Sequence, residues 1–300
     1  LYGAPDGEDD DQQPIWGDPC PESRLDLVIC DEASMVYREL FDDMLGTGLR
    51  FLFVGDHGQL EPVGENPNLM QAPHVRLETI MRQAAESPIL SFAHHVRTGG
   101  ELVEQRGQGL SVERRNGQAK DVGWLTSFDQ IIVAFNRTRC DTNRFIRMMT
   151  GRRGVLVPGD KLICLRNDRK KGLFNGLMGT AEAVRPVAAG GDAVRFDFRA
   201  DGGHLYRDLL APVEQFGAEQ PMSYRDVPRE MALFDYGYAV TCHKAQGSEW
   251  DRVLVVEGWC DRWEMARWRY TAITRAAKEL TYLADRVTTR EQMDLFGDAG

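Results

Sequence analysis

The sequence predicts an α/β protein of two lobes, the second interrupted by a small β insertion, and three observations carry that prediction. Two short apolar runs, LDLVIC (25–30) and LRFLFVG (49–55), are bounded by acids and glycine, the pattern of parallel strands buried on both faces. A third apolar run, QIIVAF (130–135), leads directly into a helix-like segment. Between 155 and 215 the pattern changes to short β-type runs punctuated by Gly, Pro and Asp, with no helical period.

Residues 1–24 are rich in Asp, Pro and Gly and read as an acidic loop leader. The strand 25–30 opens the first lobe, which is expected to occupy 25–127. In SMVYRELFDDML (34–45), Val36, Leu40 and Met44 recur at four-residue spacing, so a helix is expected between the first two strands. Strand, helix, strand is the βαβ unit of a parallel sheet. The second lobe is expected over 128–154 and 216–286. Its first strand, QIIVAF, precedes NRTRCDTNRFIRMMTG, where Asn136 is placed to cap a helix and Gly151 to end it. The insertion (155–215) holds GVLVPGDKLICLRND, LMGTAEAV and AVRFDFRA and predicts a small antiparallel barrel or sheet. After it the parallel pattern returns in YGYAVTCHKAQG, RVLVVEG, RWEMARWRYTAITRAAK and ELTYLAD. Residues 287–300 form a tail.

Hydrophobic residues are 42% of the chain and charged residues 27%, the balance of a soluble globular protein. No apolar stretch reaches the length of a membrane span. The six cysteines stand apart with no CxxC pair, which points to reduced thiols in a cytoplasmic protein rather than a disulfide framework or zinc site. The net charge of −10 is unevenly spread: residues 1–26 hold eight acids and one arginine, while 136–172 hold eleven Lys/Arg and three acids. The basic block is either a solvated face or a surface that attracts phosphates.

Ligands of parallel sheets gather at the carboxyl ends of the strands, and the first strand ends in Asp31-Glu32. Such a pair suits Mg²⁺ binding by Asp31 and activation of water by Glu32; equally, acids belong at the start of the following helix. The second strand ends in FVGDHGQLEPVG, where Gln59 offers a neutral amide to a terminal phosphate or lytic water, or simply sits in a polar turn. In LETIMRQ (77–83), Arg82 is either an arginine finger or a surface partner of Glu78. In VTCHKAQGSEWD (240–251), Thr241, His243 and Lys244 suit contacts to a phosphodiester backbone, and Gly247 admits close approach of a ligand; a structural His is the plainer alternative. RYTAITRAAK puts Tyr270 on one helical face and Arg275 near the helix end, where it either complements the dipole or reaches a γ-phosphate.

Together and in this order, these segments resemble the superfamily 1 helicases, specifically the 5′→3′ branch of RecD-like and phage Dda-like enzymes. VICDEAS resembles motif II, LFVGDHGQLEPVG motif III, LETIMRQ motif IV, YAVTCHKAQGSEWDRVLVV motif V and RYTAITRA motif VI. AFNRTRCDTNRFIR resembles the opening of the family's second RecA-like domain, and 155–215 falls where that branch carries an SH3-like subdomain. The resemblance implies two RecA-like P-loop NTPase lobes, the first incomplete, acting with ATP and Mg²⁺ on single-stranded DNA in the cytoplasm of a bacterial or phage-infected cell. It implies Mg²⁺ coordination by Asp31, base catalysis by Glu32, γ-phosphate sensing by Gln59 and transition-state stabilisation by Arg82 and Arg275. Gly247, Glu249 and Tyr270 would approach the nucleotide, and Thr241, His243 and Lys244 the DNA.

The family's phosphate cradle, GxxxxGK[ST], is absent, and Gly-Lys occurs nowhere in the 300 residues. The expectation is that the first lobe's P-loop portion lies outside this sequence. These residues alone would then hydrolyse ATP negligibly, and one side of Leu25–Cys30 would be poorly packed. The competing expectation is a non-catalytic pseudo-helicase or DNA-binding clamp module. In the tail, QMDLF (Gln292, Leu295 and Phe296 as its anchors) resembles the pentapeptide by which bacterial proteins engage the sliding clamp, with a terminal turn tucked onto the second lobe as the alternative.

Overall fold

The structure, a computed structural model, describes residues 25–62, 64–77, 87–115, 121–187, 191–223, 226–261 and 263–288. Arg82, Gln292, Leu295 and Phe296 therefore lie outside the described residues, as does the leader 1–24. The chain divides into two compact units at Ala85/Glu86, rather than at the expected 127/128.

The first unit holds β1 (Val28–Cys30), α1 (Arg38–Gly46) and β2 (Phe51–Phe53). The strands pair in parallel, Ile29 opposite Leu52. The expected helix from Ser34 is shorter than its apolar spacing suggested. A 3₁₀ turn at Ala33–Met35 is followed by extended backbone at Val36 and Tyr37, so α1 begins only at Arg38. The strands are not buried on both faces. Inward residues pack through Phe41, Phe51 and Phe53, whose ring centroids lie 5.5 and 5.7 Å apart in successive pairs. The opposite face, with Leu27, Ile29, Leu52 and Val54, is exposed, Ile29 to 64%. This is the poor packing beside Leu25–Cys30 that the sequence predicts.

The second unit opens with α2 (Pro88–Arg97), whose first turn Ser87 caps through a bond from Leu90 N, then β3 (Gln105–Gly107), β4 (Leu110–Arg114), α3 (Val122–Leu125), β5 (Gln130–Val133) and α4 (Asn136–Met149). Phe135, not Asn136, is the N-cap residue of α4; Gly151, at φ +73°, ends it as expected. The next strands are β6 (Lys161–Cys164), β7 (Met178–Pro186), β8 (Ala193–Ala200), β9 (Leu205–Pro212) and β10 (Phe234–Tyr236). The chain closes with β11 (Ala239–Thr241), α5 (Cys242–Ala245), β12 (Trp250–Val256), α6 (Met265–Ile273) and β13 (Ala276–Ala284).

Two sheets result. Five strands run in the order β10-β6-β7-β8-β9, all antiparallel, around Phe196, Phe198, Phe234 and Leu162. The fifth strand comes from Phe234–Tyr236, beyond 155–215. Six strands run β11-β5-β12-β13-β4-β3, parallel except for the edge strand β3. β5 is wholly buried, as its unbroken apolar run requires. Cys30, Cys140, Cys164, Cys242 and Cys260 are free thiols, and burial pushes that of Cys164 up to about 11. No helix among the described residues is long and apolar enough to cross a membrane.

The helix α4 joins the sheets. Arg139, Asn143 and Arg147, spaced by four, project from one face. Arg139 Nη1 pairs with Asp235 Oδ2 at 2.5 Å. Asn143 Nδ2 donates to the carbonyls of Tyr236 and Ala239, each at 3.2 Å, and its Oδ1 accepts from Ala239 N at 2.8 Å. Arg147 grips Asp160 with two bonds of 2.9 and 3.0 Å. The buried face of this helix is thus polar where hydrophobic periodicity would lead one to look for apolar residues.

Candidate functional site

In the first unit, β1 delivers Asp31 and Glu32 to its carboxyl end. Asp31 is exposed and its Oδ1 accepts the Glu32 backbone N–H at 2.8 Å. Glu32 adopts φ 51°, ψ 40°, a left-handed conformation that costs a non-glycine residue about 1–2 kcal/mol and that clusters at functional sites. The bond from Ala33 N to Val54 O, 2.9 Å, brings the ends of both strands together. Gly55 is required there: a Cβ would stand 3.0 Å from Ser34 N and 3.2 Å from Ala33 N. Beyond it, Asp56 Oδ1 accepts from Gly58 N and Asp56 O from Gln59 N, folding a tight turn. That turn buries Gln59 to 7% exposure, and its Oε1 has no partner among the described residues; neither has the buried Ser34 Oγ. A buried amide oxygen without a donor is costly unless something fills the vacancy, the state expected of a group kept for a ligand.

The donor set fits Mg²⁺. Among the described residues no three acids, histidines or cysteines gather as a metal cage, but Mg²⁺ is typically held by one or two carboxylates together with waters and phosphate oxygens. Asp31, exposed at a strand end, would serve as that carboxylate.

In the second unit the register separates the candidates into two groups. Thr241, Val133 and Val256 stand level across β11, β5 and β12 and mark the carboxyl edge of the sheet. Trp250 pairs with Ala276 at the opposite, amino edge. Thr241, His243 and Lys244 therefore start at the carboxyl edge, and the chain crosses the sheet through Gly247 to reach Glu249 at the amino edge. Gly247, at φ +74°, is exposed, and nothing lies within 4 Å of where a Cβ would be. Glu249 is likewise exposed.

Arg275 follows α6 at that amino edge. It is 7% exposed, with Nε donating to Thr271 O (3.1 Å), Nη1 to Ser248 O (3.2 Å) and Nη2 to Thr274 Oγ1 (3.0 Å). Three of five guanidinium donors are thereby placed, leaving two by count. Tyr270 carries the Arg97 guanidinium 5.3 Å above its ring. The structure thus joins Arg275 to the Ser248–Glu249 turn and separates both from Thr241.

At the carboxyl edge, burial lowers the pKa of both His243 and Lys244. Lys244 Nζ donates to Asn175 Oδ1 at 2.8 Å, tying α5 to the antiparallel sheet. An aromatic platform that motif reading missed adjoins them. Phe135 stacks on Trp263 at 5.2 Å, Trp263 lies 6.3 Å from His243 and stacks over Trp268 at 6.4 Å, and Trp259 is exposed to 59%. The signal was present in GWCDRWEMARWRY (258–270), which concentrates three of the chain's six tryptophans, Trp259, Trp263 and Trp268, in thirteen residues. Beneath the platform, Arg269 Nε bonds Glu257 Oε1 at 2.6 Å with the carboxylate 3% exposed, fixing α6 on the sheet.

The model of the UvrD-like helicase C-terminal domain matches residues 236–282, and an AAA domain model matches residues 13–121. The ATP-dependent RecD2 DNA helicase of Deinococcus radiodurans is 29% identical over 286 residues, covering 86% of this chain and 36% of that protein. A conjugal transfer protein TraA of Rhizobium radiobacter is 26% identical over 301 residues, 85% of this chain and 24% of that protein. The chain thus spans about a third or less of the length of these relatives. Among solved structures, a Pif1 helicase from Bacteroides in complex with ADP-AlF3 and ssDNA aligns with a TM-score of 0.56 at 15% identity, over 92% of this chain and 75% of that one. Pif1 helicase from Candida albicans aligns at 0.52 and 15% identity, over 91% and 76%. These alignments show the RecA-type α/β fold, and the ordered motifs together with the sequence relatives support a superfamily 1B, RecD-like helicase.

Proposed function

We propose that these residues are the motor portion of an ATP-dependent DNA helicase that moves 5′→3′ along single-stranded DNA in the cytoplasm. One observation carries the proposal: a single short segment, 241–249, runs from the His243–Lys244 edge to the turn that holds Arg275. A displacement at either end is passed to the other through nine residues of backbone. The solved Pif1 relative with ADP-AlF3 and ssDNA supports the choice of ligands.

In this reading Asp31 holds Mg²⁺, which supplies charge neutralisation on the phosphates. Glu32 takes the proton from the attacking water, and Gln59 registers the terminal phosphate's state, its Nε2 donating to a phosphate oxygen while its Oε1 accepts from that water. Arg275, with Arg82, directs its remaining N–H groups at charge developing in the transition state. Thr241, His243 and Lys244 hold the strand's phosphates, while Phe135, Trp263 and Trp259 offer ring faces to its bases. Gly247 and Glu249 line the nucleotide's approach, beside Tyr270.

The 300 residues contain no GxxxxGK[ST], so by themselves they would turn over ATP negligibly. The same fact favours the alternative of a non-catalytic DNA clamp, and one assay separates the two. ATP hydrolysis is measured, with and without single-stranded DNA, in a polypeptide uniting these residues with such a cradle. The motor reading expects DNA-stimulated turnover that Glu32→Gln lowers by about 10²–10⁴-fold, the usual share of a general base, with nucleotide binding retained. Turnover indifferent to Glu32→Gln or to DNA sinks it. Unwinding of substrates with 5′ against 3′ overhangs reads the direction.

A further inference from the structure

Where α4 ends, on the side away from Phe135, lies a cavity of about 350 Å³ between the helix and the antiparallel sheet. Its lining includes Arg144, Arg147, Arg152, Arg153, Phe216 and Tyr236, and no carboxylate. Arg147 lies roughly 16 Å along the axis from Asn136, taking about 1.5 Å per residue, so the cavity is remote from the Thr241 edge. We propose that this cavity is a second phosphate site, one that holds the backbone of a nucleic-acid strand.

Structural need accounts for only two of the four guanidinium groups. Asp160, fully buried, binds Arg147 bidentately and stands 3.5 Å from Arg152, and it also accepts from Val157 N and Tyr238 Oη. Arg147, Val157 N and Tyr238 Oη supply its hydrogen bonds, and Arg152 adds only a neighbouring charge. Arg144 is exposed, with only Asp141 at 3.7 Å, and Arg153 forms no ion pair among the described residues. Two rim cations therefore face the cavity without a structural task. Glu219, near Cys140, and Asp141 are the neighbouring acids at that end; neither lines the cavity.

The remaining wall is aromatic. Arg147 covers one face of the Tyr236 ring at 4.2 Å, and Phe216, half-buried, stands 5.6 Å from that ring. The volume falls in the range of small-ligand pockets. The backbone N–H of Gly217 is already spent on Asp235, so the lining offers cations and ring faces but little with which to read a base edge. That combination suits sequence-tolerant binding of a strand, in which phosphates meet arginines and bases meet rings. The basic block of the sequence thus divides into internal ties and a phosphate-facing rim.

The test uses the 300-residue protein and a fluorescein-labelled oligo-dT, with affinity read by anisotropy across a salt series. Each phosphate contact on a single strand contributes about 0.7 to the log–log salt slope. Arg144→Ala with Arg153→Ala is expected to flatten the slope by about 1.4, which corresponds to about 25-fold weaker binding at 0.1 M salt. Arg144→Lys with Arg153→Lys should restore most of the slope, and thermal melts should be unchanged because neither side chain supports the fold. An unaltered slope in the alanine pair overturns the proposal. So does a slope change that millimolar inorganic phosphate or ADP abolishes in the unmodified protein, which assigns the cavity to a small anion instead. Lys244→Ala serves as the separate control: its failure to weaken DNA binding counts against the motor reading and leaves this site untouched.

Discussion

Glu32 is held in a left-handed backbone conformation, its N–H bonded to Asp31 Oδ1 and the next residue's N–H to Val54 O, and Gly55 packs against the backbone of Ala33 and Ser34 that follows. Adding one methyl at Gly55 forces either backbone or the Met70 sulfur to move. Gly55→Ala is expected to destabilise the first unit by about 1–3 kcal/mol, measured by urea unfolding. His243 supplies a pH signature. Burial holds its imidazole below the ordinary 6.5, so the unfolded chain takes up a proton near that pH while the folded protein still does not. The contribution is fully present above 6.5 and is lost as pH falls through it toward the lower folded value. His243→Asn should therefore flatten the decline in melting temperature on the acid side, relative to the unmodified protein, between about pH 7 and the folded value. The candidate residues could be named from the sequence because motif chemistry fixes residue types. Their partners were not: no pattern in the sequence announces that Arg275 donates to Ser248 O, or that Gln59 Oε1 is left without a donor.

At the level of elements, α4 shows what periodicity can and cannot reveal. Its limits were legible from Asn136 and Gly151 to within a residue. Its internal face was not, because Arg139, Asn143 and Arg147 read as surface residues of a basic block. Strands brought from 90 or more residues away in sequence turn Arg139 and Asn143 inward, and Asp160, 13 residues on, does the same for Arg147. Arg139→Ala should cost about 3–5 kcal/mol, since it strands the buried Asp235 carboxylate, whereas Arg144→Ala, at an exposed position of the same helix, should stay within about 0.5 kcal/mol; denaturant melts of the two variants distinguish them. The early start expected for α1 failed for a related reason. Four-residue apolar spacing continued through Val36, but the Glu32 turn sends Val36 and Tyr37 into extended backbone before the helix can begin.

For the whole molecule, parallel sheet plus β insertion was legible from the change in apolar pattern at 155, while the unit boundary was not. The strands β3 and β4 have no motif, and only the pairing of β4 with β13, and of β3 with β4, assigns them to the second unit. In the first unit, Leu27, Ile29, Leu52 and Val54 form a bare apolar face of the kind that promotes association. Ile29→Lys with Leu52→Lys is expected to lower self-association in light scattering without lowering the melting temperature. In the second unit the stitching of α4 has a thermal consequence. Its three side chains grip strands of both sheets at successive turns, with Asn143 bonded at the point where Tyr236 leaves one sheet and Ala239 enters the other. The inserted sheet is therefore expected to have no melting point of its own: calorimetry should show one transition for both sheets, and limited proteolysis should leave no durable half behind.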